Sequence, residues 1–346
     1  MAGIQDRPVR LGVIGLGIGS LHTRNLKNAP DVEVAAICDI NEERLQKVSA
    51  ECGISKTFTD YKEMLKQDWI DGVIVATPNY LHAPLTIDCL EAGKHVMCEK
   101  PISVCAADAE KMVEAAKRTG NTLMMGFNNR FRGDSQLLKK FVEAGELGEI
   151  YYAKTGWVRR KGIPTGTGSW FTTKAKAGGG PLIDLGVHVL DLTLWLMGNP
   201  RPISVMGSAY AKFGPRAAEE RGGTFDVEDL ATGLIKLDNG ATLFLEASWA
   251  SHVGKEQIYT SLMGTEGGAD LDPLRIYKDL HGVSTDLSPQ FRQANGHEME
   301  VRHFVECLRE GKEPISTGQH GLDIMRILDA IYLSMETGRG VDVKHE

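Results

Sequence analysis

The start of the chain constrains the fold most. An apolar, β-branched run at positions 9–15 (VRLGVIG) ends in glycine and opens directly into a helical pattern at 20–28. A strand that turns through glycine into a helix is the first step of a crossover, because parallel strands need a long connection to return to the same edge. The step is then repeated. Apolar runs at 32–39 (VEVAAICD), 72–76 (GVIVA), 95–99 (HVMCE) and 122–127 (TLMMGF) alternate with helical patterns at 41–52, 81–92 and 106–118. Near-continuous apolar strands, rather than alternating ones, are buried on both faces, so this part predicts a doubly wound parallel α/β sheet.

After position 127 the rhythm changes. A helix at 134–143 leads to a strand at 149–158, a Gly/Thr/Lys-rich loop at 159–180 and an apolar helix at 181–197. Strands follow at 203–212, 230–237, 242–249, 257–264 and 275–278, with Asp238-Asn239-Gly240 marking a hairpin. Two helices, 299–310 and 319–337, close the chain. Strands in succession with few helices between them predict an α+β domain with a large, mostly antiparallel open sheet. The expected division is a dinucleotide-binding domain at 1–127 and a substrate-binding and oligomerisation domain at 128–346.

Composition narrows the function classes. A length of 346 residues suits about two domains. A net charge of −7 leaves no surplus of Lys and Arg to neutralise phosphates, which argues against broad nucleic-acid binding. The six Cys form no CxxC pair, so neither a zinc knuckle nor a redox dithiol is expected. No apolar run is long enough for a membrane span, and none precedes the first strand as a signal peptide would, so a cytoplasmic protein is expected.

Gly15-Leu16-Gly17-Ile18-Gly19-Ser20 has the form G-x-G-x-x-G with Ser at the third glycine. The first glycine permits the turn, and the second lets a pyrophosphate approach the positive helix N-terminus. Ser20 is small enough for close packing of helix on strand. Asp39, at the end of the second strand, is placed to bond ribose hydroxyls. Its charge would repel a 2′-phosphate, which favours NAD over NADP. Arg44 is expected to face solvent, from where it can still swing in. Thr77-Pro78-Asn79 and Lys100-Pro101 follow strands at the edge where open α/β sheets bind ligands. An ordinary turn, with Asn79 capping the next helix and His82 structural, fits the first of these equally well.

The helix at 181–197 (PLIDLGVHVLDLTLWLM) is apolar nearly all round and therefore buried. Asp184, His188 and Asp191 nevertheless recur at i, i+4 and i+7, on one face of a regular helix. Burying such groups without partners costs on the order of 2–7 kcal/mol each, so the stripe faces a hydrogen-bond network or a ligand. The Gly178-Gly179-Gly180 run before it favours the ligand, since glycine lets the backbone approach closely. Lys100, partly desolvated after its strand, is a candidate acid/base or hydrogen-bond donor. His297 and His303 miss the i, i+4 spacing of a zinc helix; that segment reads as an exposed amphipathic helix with no metal.

Four segments in this order, VIGLGIGSLH (13–22), ATPNYLH (76–82), Glu99-Lys100-Pro101 and GGGPLIDLGVHVLD (178–191), resemble the glucose–fructose oxidoreductase / inositol dehydrogenase / MocA family across essentially the whole chain. The resemblance implies a Rossmann domain followed by an α+β domain often used for oligomerisation, here a homodimer or homotetramer. It places the family's catalytic lysine, aspartate and histidine at Lys100, Asp184 and His188, often with a cis bond after the lysine. Candidate cofactor contacts are Gly15, Gly17, Ile18, Asp39, Thr77, Asn79, His82, Glu99, Lys100, Asn128 and Trp170. Asn128, Asn129 and Arg130 are expected at an interdomain cleft, with one of them reaching the cofactor or substrate. Trp157, Arg159, Arg160, Lys161 and Phe171 border the substrate side, the basic three reading as a solvated loop. The expected activity is hydride transfer between NAD and a ring secondary alcohol of a sugar or cyclitol. Two alternatives stand: a redox-neutral epimerase or glycosidase with tightly bound NAD, and a non-catalytic dinucleotide or sugar sensor.

Overall fold

The computed structural model describes residues 4–27, 29–164 and 169–345. The chain packs as two compact units, Met1–Asn128 with Asn295–Leu322, and Asn129–Ala294 with Asp323–Glu346. Packing therefore differs from sequence order: residues 295–322, expected with the second part, belong to the first unit.

The first unit is built on six parallel strands: β1 (Val9–Ile14), β2 (Val32–Cys38), β3 (Thr57–Phe58), β4 (Gly72–Val75), β5 (His95–Glu99) and β6 (Leu123–Gly126), in the order β3-β2-β1-β4-β5-β6. Leu11, Val13, Val73, Ile74, Val75, Val96, Met97 and Cys98 have no exposed surface, which explains why these strands read as continuous apolar runs. Helix Gly296–Glu310 packs against β1 and helix Gly19–Leu26. The exposed helix expected there is instead half buried, with Glu300, Val301, Phe304, Val305 and Leu308 inside. All six cysteines are free thiols, and burial pushes Cys38, Cys98 and Cys307 up to about 12, so they stay protonated.

The second unit holds nine strands: β7 (Ile150–Val158), β8 (Pro202–Tyr210), β9 (Leu230–Leu237), β10 (Thr242–Ser248), β11 (Gln257–Gly264), β12 (Gly268–Leu271), β13 (Arg275–Leu280), β14 (Val283–Leu287) and β15 (Val341–Asp342). Their order is β14-β13-β12-β11-β7-β10-β9-β8-β15, antiparallel except for the β7–β10 pair. Along β9, Ala231, Gly233, Ile235 and Leu237 are buried while Leu234 and Lys236 are exposed, so the sheet has one covered and one open face. The loop at 159–180 contains a short helix, Lys174–Ala177, and its residues 165–168 lie outside the described residues. The expected helix at 181–197 is two pieces: a π-helical turn, Leu182–Gly186, continued by the α-helix Val187–Leu196.

Candidate active site

The glycine turn after β1 supplies the first part. Gly15 has φ +87°, and a side chain there would meet the Ala76 carbonyl oxygen at 2.6 Å, so only glycine fits. Gly17 is exposed, and an added Cβ would meet nothing within 4 Å, so the loop is open at the helix N-terminus. The close packing assigned to Ser20 is made one residue earlier. Gly19 is buried, and a Cβ on it would lie 2.9 Å from Val13, whereas the Ser20 hydroxyl donates to the Gly17 carbonyl at 2.9 Å. Asp39 fixes the turn: it accepts the Leu16 N–H at 2.7 Å and the Asn41 N–H at 2.8 Å. Arg44, half exposed, turns back to Asp39 at 3.3 Å rather than facing away. An open glycine loop backed by a carboxylate on the next strand fits the pyrophosphate and ribose of a dinucleotide.

The turns after β4 and β5 are tied together. His82 is 1% exposed, and its two ring nitrogens meet the Thr77 and Pro101 carbonyl oxygens at 2.8 and 2.7 Å. It ties the two turns to each other through both ring nitrogens. Burial lowers its pKa, against the pull of the two carbonyls. Asn79 is buried at the start of the 3-10 turn Asn79–Leu81, while Thr77 is half exposed. Lys100 is half exposed, its bond to Pro101 is cis, and its backbone N–H is held by Glu99 Oε2 at 3.1 Å. Asn128 directs its side-chain nitrogen to His297 Nε2 at 3.3 Å.

The second unit carries the other candidates. From Pro181 to Leu196 only Asp184 and His188 are not buried. The π turn lies where Asp184 does, and such turns are frequent at functional sites. Asp184 Oδ2 accepts the indole N–H of Trp249 at 3.0 Å, and Trp249 is fully buried. The rings of His188 and Trp157 are 5.9 Å apart. The Arg159 guanidinium lies 5.1 Å from the Trp157 ring centre, so Arg159 is stacked on an aromatic face instead of being merely solvated. Trp170 stacks on Phe171 at 3.9 Å.

Asp191 parts from the stripe. It and Arg130 are each 1% exposed and form a two-pronged ion pair, with Arg130 Nη2 2.6 Å from Oδ1 and Nε 2.9 Å from Oδ2. Burial pushes the Asp191 carboxyl up, with Arg130 pulling against it. This pair is buried in the second unit, where Asp191 engages the Arg130 guanidinium.

Two residues that sequence reasoning missed hold this turn. Glu228 accepts the Gly180 N–H at 2.9 Å, the Leu182 N–H at 3.1 Å and the Tyr332 hydroxyl at 3.0 Å, filling the place of an N-terminal cap. Burial pushes its carboxyl up while these donors pull it down. Trp249 is the other. Their only sequence signals are an acid beside a strand and a lone tryptophan at a strand end.

Residues 9–127 match a family model described as an oxidoreductase family with an NAD-binding Rossmann fold, and 139–343 match the model of its C-terminal alpha/beta domain. The chain is 34% identical to D-glucoside 3-dehydrogenase of Escherichia coli strain K12, over 97% of this chain and 98% of that one. It is 33% identical to the NAD(+)-dependent scyllo-inositol 2-dehydrogenase of Bacillus subtilis strain 168, over 90% of each. Levoglucosan dehydrogenase in complex with NADH and levoglucosan superposes with a TM-score of 0.87 at 25% identity, covering 98% of this chain and 100% of that one.

Proposed function

Because the chain belongs to the Gfo/Idh/MocA oxidoreductase family, we propose that it is an NAD-dependent dehydrogenase acting on a ring secondary alcohol of a sugar or cyclitol, with Lys100, Asp184 and His188 as its catalytic residues. The observation that carries the reading is the exposure pattern of one helix: among sixteen consecutive positions from Pro181 to Leu196, the two left accessible are an acid and an imidazole. NAD, when bound, supplies the hydride acceptor. The open glycine loop at Gly15, Gly17 and Ile18 takes its pyrophosphate, and Asp39 takes a ribose. His188 accepts the proton of the substrate hydroxyl at a ring nitrogen. The Lys100 ammonium donates to the same oxygen and offsets its growing negative charge. Asp184, oriented by Trp249, positions the substrate and the His188 ring. Thr77, Asn79, Asn128 and Trp170 remain proposed cofactor contacts.

The direct test is a panel of sugars and inositols incubated with NAD, reading NADH. Accumulation supports net oxidation; product without NADH supports the redox-neutral alternative. His188→Ala and Lys100→Met should each lower kcat by about 10²- to 10⁴-fold with NAD binding retained. A full-rate His188→Ala enzyme refutes the base assignment. We also infer that the open face of the nine-stranded sheet, where Met206 and Leu234 are exposed register neighbours, joins copies into a homodimer or homotetramer. Light scattering that gives a monomer mass refutes this. Among the described residues no helix is long and apolar enough to cross a membrane.

A further inference from the structure

A second set of ionisable groups lies in the first unit and has no part in the chemistry above. His22 comes from helix Gly19–Leu26, Glu99 from the end of β5 and Glu300 from helix Gly296–Glu310, and one polar atom of each lies within 4.8 Å of the others. Their side chains are 0%, 8% and 0% exposed. Glu99 uses both oxygens: Oε1 meets His22 Nε2 at 2.6 Å, and Oε2 accepts the backbone N–H of Lys100 at 3.1 Å. Glu300 Oε1 meets His297 Nδ1 at 3.0 Å, and the Asn128 amide faces the other nitrogen of that ring. His22 Nδ1 and Glu300 Oε2 are buried with no hydrogen-bond partner among the described residues.

Two ionised carboxylates around a neutral imidazole would leave two negative charges buried, which is very costly. Two protons resolve this. Burial works against a charged His22, but the bond to Glu99 and the Glu99 charge outweigh it and raise His22. Burial likewise opposes an ionised Glu99, and His22 outweighs it, holding the carboxyl down; the Lys100 charge acts in the same direction. For Glu300 the balance falls the other way: burial first, and the Glu99 charge second, push it well above the ordinary range, with the His22 charge pulling against them and losing.

We propose that His22 and Glu99 position Lys100: an imidazolium–carboxylate pair anchors the lysine backbone through the second carboxylate oxygen, while Glu300 packs behind the pair as a neutral acid with no hold on the lysine. The proposal rests on the reading of Lys100 as catalytic. Glu99 faces His22, Lys100 and Glu300, with His297 within electrostatic reach, and His82 also feels the charges of Glu99 and Lys100.

The test uses the full-length enzyme with NAD and the best substrate of the panel. Glu99→Gln should lower kcat about tenfold by loosening the position of Lys100, with KM for NAD within about threefold. Glu300→Gln, a neutral amide for a neutral acid, should leave kcat within about twofold of wild type. The proposal is overturned if Glu99→Gln keeps the wild-type kcat, if Glu300→Gln behaves like Glu99→Gln, or if the purified enzyme holds a stoichiometric divalent metal that Glu300→Gln loses. A Lys100→Met enzyme at full rate instead sinks the catalytic reading on which the proposal rests. Should Glu99→Gln not fold, nitrogen NMR of His22 in the wild-type holoenzyme decides: an imidazolium that persists above the ordinary histidine range supports the pair, and a ring that titrates within or below that range overturns it.

Discussion

Asp184 and Asp191 lie on the same stretch of helix, share a side chain and were singled out by the same spacing, yet the structure treats them differently. At the N-terminal end, the π turn Leu182–Gly186 leaves Asp184 half exposed with one indole donor, and His188 half exposed after it. Further along, Asp191 is sealed in the core against Arg130. Helical spacing tells which residues share a side. Whether that side meets a partner or a ligand depends on what the rest of the chain brings to it. An accessible acid is available for chemistry, while a sealed one is committed to the fold.

The sharpest way to break this contrast is to remove each acid in turn. Asp191→Ala leaves a buried guanidinium unpaired and should cost about 3–5 kcal/mol, read as a large drop in Tm. Replacing both partners, Asp191→Leu with Arg130→Met, should recover most of that loss, since a buried pair gains little over apolar contacts. Asp184→Asn should do the reverse, leaving Tm within a few degrees and lowering kcat. If Asp184→Asn is the destabilising variant and Asp191→Ala the inactive but stable one, the contrast is inverted.

Glu228→Ala comes next. It leaves the Gly180 and Leu182 N–H groups and the Tyr332 hydroxyl without their acceptor, at about 1–3 kcal/mol. Because the cap holds the turn that carries Asp184, kcat should fall along with stability. A variant that melts earlier but turns over normally would separate the turn from the site. A smaller effect is expected of Trp249→Phe, which keeps most of the ring in its core with Leu185 and Val227 but removes the donor to Asp184. Denaturant unfolding should register about 1 kcal/mol, and kcat should drop severalfold.

Legibility in the sequence followed the range of the interactions. The parallel sheet was readable because burial on both faces leaves continuous apolar runs; only the two-residue β3 escaped, having too little sequence to form a pattern. In the antiparallel sheet the two-residue β15 escaped for the same reason, whereas β12 (GADL) and β14 (VSTDL) escaped because neither is an apolar run, β14 being largely exposed. The glycine loop was readable to within one residue. Its close approach falls on Gly19 because the helix begins there. The partners that decide roles were not readable: Arg130 and Asp191 are 61 residues apart, and Gly180 and Glu228 are 48 apart. Nothing local in an acid at position 228 announces that it caps a turn made elsewhere, and a 3.6-residue period cannot signal a π turn.

Glu300 adds a third way to bury an acid and gives the smallest effect. Asp191 is held by a cation and Glu228 by donors, whereas Glu300, beside the ionised Glu99, is held by a proton. Its folded pKa is raised above its unfolded value of about 4.3. Such a group contributes stability that is fully present below the unfolded value and is lost as pH rises through the folded one. Wild-type stability should therefore fall over that window by a component that Glu300→Gln lacks, because an amide has no proton to lose. Urea midpoints of the two proteins, compared from about pH 5 upward, should diverge in favour of the variant as pH rises. Parallel curves would mean that Glu300 is ionised in the folded protein, and that its charge is met by something other than a proton.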